Sequence, residues 1–206
     1  MGKIDISHFV LSTKVLGPYV RSALWVHGCC FDCEGCIAGE MNRQISDLRE
    51  IAELAGYFSD IDDTEGITVS GGEPFLQAAA LYEMIDLIQA KRDYGVIIYT
   101  GFEYEELRNS GDMSVRRLLA CTDILIDGRY VKSLDDGKAY RGSSNQRIIQ
   151  LSDRYKDVFE TYYFENNKRN IEIDVEEKNV YLVGVPSKYG LETWRKFKKK
   201  AGCESD

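Results

Sequence analysis

The chain has 206 residues, with 26 Lys and Arg against 34 Asp and Glu for a formal net charge of −8. Hydrophobic residues make up 44%, charged residues 29%, and there are three prolines, which excludes disordered and fibrous classes and leaves room for one ordinary core. The acidic balance excludes a general electrostatic footprint for nucleic acid or an anionic membrane.

Residues 1–16 mix Asp5 and His8 with apolar residues and lack the basic start, apolar run and cleavage site of a secretory signal. No run reaches the roughly eighteen apolar residues of a membrane span. We expect a cytoplasmic protein, in which closely spaced cysteines bind metal or do redox chemistry rather than form structural disulfides. The first predicted strand, 23–27, leads into Gly28-Cys29-Cys30-Phe31-Asp32-Cys33-Glu34-Gly35-Cys36. A helix is predicted over 47–58 from Leu48, Ile51, Leu54 and Phe58, then a strand at 66–70 running into Gly71-Gly72-Glu73-Pro74. A helix over 78–92 precedes a strand at 95–100, short helices at 103–109 and 114–121, and strands at 124–127 and 147–151. Alternating strands and helices imply an α/β fold with a parallel sheet. The chain is short of the roughly 250 residues of a closed (β/α)8 barrel, so the expectation is an incomplete, open barrel.

Beyond residue 152 the pattern changes. Ile171, Ile173 and Val175 alternate with Glu172, Asp174 and Glu176, and a second run follows at 179–185, which predicts an antiparallel hairpin. Leu191, Trp194 and Phe197 then recur at helical spacing beside Arg195, Lys196, Lys198, Lys199 and Lys200, a solvated basic helix docked through its aromatics. We divide the chain into a core, 1–151, and an extension, 152–206, packed on the same domain.

Three thiols at C-x3-C-x2-C spacing, in a loop whose Gly28 and Gly35 permit sharp turns, point to metal or cluster ligation. A closed zinc site needs a fourth ligand, from His27, Cys30 or a distant residue. A cubane held by three thiols leaves one iron open, which is a catalytic arrangement. Cys30, Cys33 and Cys36 form an alternative, evenly spaced set. Cys121 ends an apolar helix as a small buried hydrophobe, and Cys203 stands apart. Each motif follows a predicted strand, and strand C-terminal ends converge on the active site in barrel-like α/β folds.

Together the cysteine loop and Gly71-Gly72-Glu73 resemble the motifs of the radical S-adenosylmethionine superfamily. More narrowly, Gly17-Pro18-Tyr19-Val20-Arg21, Tyr99-Thr100-Gly101-Phe102, Ile124-Leu125-Ile126-Asp127-Gly128-Arg129-Tyr130 and Arg141-Gly142-Ser143-Ser144-Asn145-Gln146-Arg147 resemble blocks of the anaerobic ribonucleotide reductase activating enzymes. The resemblance implies a [4Fe–4S] cluster on Cys29, Cys33 and Cys36, with S-adenosylmethionine as the second cofactor. It implies that Gly71, Gly72 and Glu73 meet the methionine amine, that Gly35 and Ile37 lie against the adenine, and that Thr100, Asp127 and Arg147 stand near the cofactor. The implied reaction is reductive cleavage of S-adenosylmethionine to a 5′-deoxyadenosyl radical. That radical would take a hydrogen from a glycine of a partner, an anaerobic ribonucleotide reductase, with an electron donor such as flavodoxin or ferredoxin. Two other readings stay open: a radical maturase acting on another peptide or small metabolite, and a zinc-binding interaction module without catalysis.

Overall fold

Lys3–Thr13 forms the first strand, β1, of a seven-stranded sheet. Ile4 and Ile6 face one side, and a bulge between Ile6 and His8 turns His8 and Val10 to the other, the local re-aiming that an inserted residue produces. In this computed structural model residues 2–39, 47–165, 168–177 and 179–201 are described. The sheet order is β3-β1-β2-β4-β5-β6-β7, with β2 (Arg21–Val26), β3 (Asp47–Glu50), β4 (Gly66–Gly71), β5 (Gly95–Tyr99), β6 (Ile124–Asp127) and β7 (Arg147–Gln150). The central run β2-β4-β5-β6 is parallel. β1 joins β2, β3 joins β1 and β7 joins β6 antiparallel.

The fold is therefore mixed α/β, with a large mixed sheet that ends in two edges, β3 and β7. Three expectations from the sequence change. Residues 47–50 pair with Lys3 to Ile6 of β1 as a strand, and α1 (Ile51–Ser59) begins after them; the open backbone groups of β1 override the helical spacing that Leu48 suggested. β1 itself was not among the predicted strands. The segment 147–151 supplies an antiparallel strand, because the chain returns to β6 through a loop and 3-10 turn, with no α-helix between them.

The helices α1, α2 (Ala78–Gln89), α3 (Tyr104–Arg108) and α4 (Met113–Ala120) fall close to their predicted places. Leu54, Phe58, Leu81, Met84, Ile85 and Ile88 pack on Ile67, Val69, Val96, Ile98 and Leu125 of the sheet. The opposite face is covered at Ile97, Ile124 and Ile126 by Tyr140, Tyr155, Phe159 and Tyr163. Strands buried on both faces need continuous apolar runs, which is why β4 to β6 read as such.

The extension carries the hairpin β8 (Ile171–Val175) and β9 (Val180–Gly184), then α5 (Lys188–Ala201). The inward side of the hairpin mixes acidic residues of β8 with Val183 of β9, which is buried with Val10, Leu16 and Ala23. Glu172 and Asp174 turn toward β1, where Thr13 Oγ1 donates to Glu172 at 2.6 Å, while Ile173 and Val175 are 49% and 70% exposed. Among the described residues no helix is long and apolar enough to cross a membrane.

Candidate active site

The loop after β2 is fixed at its base by neighbouring strand ends. The Gly72 amide donates to the Val26 carbonyl at 2.8 Å and the Glu73 amide to the Gly28 carbonyl at 2.8 Å. Gln77 Nε2 donates to the carbonyls of Asp5 and His27. Gly28 and Gly35 take φ of +85° and +79°, the left-handed conformation that favours glycine. Between them Cys33 and Cys36 are half-buried while Cys29 and Cys30 are exposed, and the Cys36 amide donates to the Cys33 carbonyl at 3.1 Å. Phe31 is wedged between Gly101, Phe102 (ring centroids 4.9 Å apart) and the Arg129 guanidinium, 4.4 Å from the ring centroid. Any side chain at Gly101 would meet the Phe31 ring at 2.4 Å.

Partial burial pushes the Cys29 and Cys36 thiols above the usual range, and the Glu73 carboxylate adds to this at Cys29. Glu73, only 1% exposed, accepts at Oε1 from the Phe75 amide (3.0 Å) and the Thr100 hydroxyl (2.8 Å), and at Oε2 from the Gly101 amide (2.8 Å). Burial raises its carboxyl against these three donors. Asp127, also 1% exposed, accepts from the Tyr104 amide at 2.8 Å and pairs with Arg147, Nε to Oδ1 at 3.0 Å. Arg147 also grips Glu105 at 2.7 Å. Beside the cysteines, Arg129 to Ser133 and Asp32 to Glu34 line an open cavity of about 590 Å³, rimmed by a Lys132–Glu34 ion pair at 2.7 Å.

The structure thus brings the cysteine loop, Gly71 to Glu73 and Thr100 to one end of the sheet. Asp127 and Arg147 join each other there, linked through the Gly128 amide on the Phe102 carbonyl at 3.1 Å. Several of the predicted site residues also have partners inside the protein. A side chain at Gly71 would strike the Val26 carbonyl at 2.5 Å, so β2 by itself requires that glycine. Glu73, Thr100, Asp127 and Arg147 all have protein partners. Gly35 lies against Lys132 and Tyr130, and Ile37 is 47% exposed. The loop 141–147 is tied by its own groups: Gln146 Oε1 accepts from the Gly142 and Ser143 amides, and Ser143 Oγ from the Val131 amide. Phe31 and Arg129 were not singled out from the sequence, since nothing in the spacing shows that the loop's aromatic lands on Gly101.

Three thiols on one pinned loop fit an iron–sulfur cluster. Among the described residues no three cysteine sulfurs lie within 4.8 Å of one another, wider than the roughly 3.8 Å between thiolates on one tetrahedral zinc. Thiolates that each bind a different iron stand further apart. Cys121 is no candidate: its thiol donates to the Leu118 carbonyl, and burial pushes its pKa to about 12. Cys203 lies outside the described residues.

A family model described as a 4Fe-4S single cluster domain matches residues 15–149, the span holding all these groups. The chain is 33% identical over 148 residues to an anaerobic ribonucleoside-triphosphate reductase-activating protein of Vibrio cholerae, covering 67% of this chain and 92% of that protein. The counterpart of Escherichia coli is 32% identical over 147 residues (66% and 92%), and that of Enterobacteria phage T4 is 30% identical over 146 (68% and 89%). The chain belongs to this activating-protein family. Membership makes it an oxidoreductase of the radical S-adenosylmethionine activating type, with a [4Fe–4S] cluster and S-adenosylmethionine as cofactors. The match to the 4Fe-4S domain model ends at 149, so the hairpin and α5 lie beyond it.

Proposed function

We propose that this chain activates an anaerobic ribonucleotide reductase by installing a glycyl radical on it, through reductive cleavage of S-adenosylmethionine. The observation that carries the reading is the three-thiol loop pinned, through Glu73 and Gly28, to the shared C-terminal end of β2, β4 and β5. Cys29, Cys33 and Cys36 would hold the cluster, which when bound supplies the electron for the cleavage. Cys30 stays outside the ligand set in this reading.

Gly35, Ile37, Gly71 and Gly72 are proposed to lie against the cofactor. For Glu73, Thr100, Asp127 and Arg147 the hydrogen bonds favour positioning roles: the first two brace the strand ends beneath the loop, and the Asp127–Arg147 pair anchors the wall formed by residues 128–131. Arg129 and Phe31 would exclude water from one side of the cluster. The parallel run β2-β4-β5-β6 with its loops at one end supports an incomplete (β/α) barrel over 1–151, open enough for a loop of a protein substrate. The extension 152–206 would pack on that core, consistent with the buried Arg21–Tyr155 hydrogen bond at 2.6 Å. A flavodoxin- or ferredoxin-type protein would deliver the electron, and the protein would work in the cytoplasm.

Anaerobic reconstitution with iron and sulfide, followed by S-adenosylmethionine and a reductant, should yield 5′-deoxyadenosine. Mixed with its reductase, the chain should produce an oxygen-sensitive glycyl doublet in the EPR spectrum. Cys36→Ala should abolish both and Cys203→Ala neither. A doublet on a different polypeptide, with none on the reductase, would sink the substrate assignment.

A further inference from the structure

Two segments outside the family match meet across the sheet. The β1 bulge presents His8 to the β8–β9 hairpin, where the imidazole is 6% exposed. Its ring stacks on Tyr181 (centroids 3.6 Å apart, 13° between planes) and on Trp25 (5.7 Å, 26°). Asp174 Oδ2 stands 3.1 Å from His8 Nε2, and Glu176 Oε1 stands 3.7 Å from Nδ1. One ring nitrogen and one oxygen from each carboxylate all lie within 4.8 Å of one another.

We propose that His8, Asp174 and Glu176 bind a divalent transition-metal ion of the zinc class, fastening the hairpin to β1. Imidazole nitrogen and carboxylate oxygen are ligands that zinc accepts, and three protein ligands leave a position for water. Two carboxylates converge on one buried imidazole, a donor set with an excess of negative charge that a cation can join. A neutral imidazole has one N–H and can donate to one of the two carboxylates, which leaves its other nitrogen lone pair facing an oxygen. A metal ion takes up the lone pair and the anionic charge together.

The surroundings suit a fixed site. Tyr181 and Trp25 hold the ring plane. Positions 174 and 176, two apart, place both carboxylates on one face of the hairpin, and the Glu176 amide closes the turn on the Asn179 carbonyl at 2.9 Å. Both carboxylates are partly exposed, so they are free to close on an ion and to leave room for solvent. The hairpin meets β1 through Val183, packed with Val10, Leu16 and Ala23, and through Glu172 on Thr13 and on the Lys14 amide, and a metal clasp would add to these contacts. The donor set contains no thiol, which separates it from the cysteine loop.

The test uses the full chain with its iron–sulfur cluster reconstituted, dialysed anaerobically against buffered micromolar zinc. Zinc and iron per chain are measured by mass spectrometry. Wild type should retain zinc at one ion per chain with its iron undiminished. Asp174→Asn and Glu176→Gln, both at partly exposed positions, should each weaken zinc retention about tenfold or more and leave iron unchanged, whereas Glu172→Gln should keep the zinc. Zinc should also slow amide exchange over 171–184 in wild type and in neither ligand variant. Absence of zinc from wild type, equal retention by the ligand variants, or unaltered exchange in wild type would overturn the proposal. His8→Ala opens space between two aromatic rings, so the carboxylate variants carry the test.

Discussion

The Thr100 hydroxyl donates to Glu73 Oε1 at 2.8 Å, joining the ends of two parallel strands beyond the last backbone pair of their ladder, Val69 with Ile98. Glu73 takes the Gly101 amide on its other oxygen, and Gly101 is the floor on which Phe31 of the cysteine loop rests. One buried carboxylate thus ties the end of β5 to the base of the loop.

Replacing that carboxylate tests the connection. Glu73→Gln puts an amide NH2 where an acceptor is needed, so one buried donor is left facing another. Hydrogen bonds to a charged group are worth about 1.5–3 kcal/mol, and we expect a loss of about 2 kcal/mol in urea unfolding together with a fall in 5′-deoxyadenosine yield. Thr100→Val removes one donor of three and should cost about 1 kcal/mol. Wild-type behaviour in both variants would rule out the brace.

The raised thiols give cluster assembly a pH dependence. A thiol must lose its proton to bind iron, and burial holds the protons on Cys29 and Cys36 more tightly than usual. In the range below those raised values, ligation releases protons. Iron uptake should therefore rise with pH, with each released proton adding about a factor of ten per pH unit to the equilibrium. Iron and sulfide bound per chain, measured anaerobically at pH values from about 7 to about 8.5, should increase; a flat or falling profile would contradict the raised thiols.

Much of this architecture is legible from the chain itself. The runs ending at Asp127 and Tyr99 are apolar throughout because both faces are covered, and the motifs that follow them sit where parallel strands must end. What was not legible depends on pairing across long separations. Asp47 to Glu50 look helical until the edge of β1 claims them, and the bulge that turns His8 has no local signature. The acidic residues of β8 look solvent-facing by alternation alone; they turn inward because Thr13, the Lys14 amide and His8 offer polar partners. From the sequence Glu73 and Asp127 are candidate cofactor contacts; that they also accept from the Phe75 amide, residues 100–104 and Arg147 depends on loops meeting across long separations.

Two glycine substitutions separate helix propensity from close packing. Gly56 lies within α1, and a methyl group there meets nothing within 4 Å. Gly56→Ala should stabilise the protein by about 0.5–1 kcal/mol. Gly101→Ala forces Phe31 from its seat and should destabilise the fold by about 1–3 kcal/mol. Iron retained by the second variant after exposure to a chelator should fall below wild type. The opposite signs in thermal unfolding would refute this assignment of packing.

The outward apolar face of the hairpin makes a further prediction. Ile173→Thr and Val175→Thr alter side chains that face solvent, so each should change stability by less than about 0.5 kcal/mol. If that face were instead buried, removing the aliphatic groups would cost about 1–2 kcal/mol per site. Unfolding of the two variants, separately and combined, distinguishes the faces.

Arg21 fixes the other end of the sheet and tests how firmly the extension belongs to the core. It is fully buried, pairs with Glu65 at 2.7 Å, and donates to Thr68, to the carbonyls of Ile67 and Gly95, and to the Tyr155 hydroxyl at 2.6 Å. Tyr155 in turn donates to Glu65, so a residue beyond the family match closes a ring with two residues inside it. Removing one member of a buried charged pair costs about 3–5 kcal/mol, because its partner keeps its charge without compensation. Arg21→Met should therefore be severe, while Tyr155→Phe, which deletes one hydroxyl, should cost about 1–2 kcal/mol. The double variant should lose less than the sum of the two, since each single change already breaks the shared hydrogen bond. Strict additivity in urea unfolding would mean that the extension and the core are energetically independent at this contact.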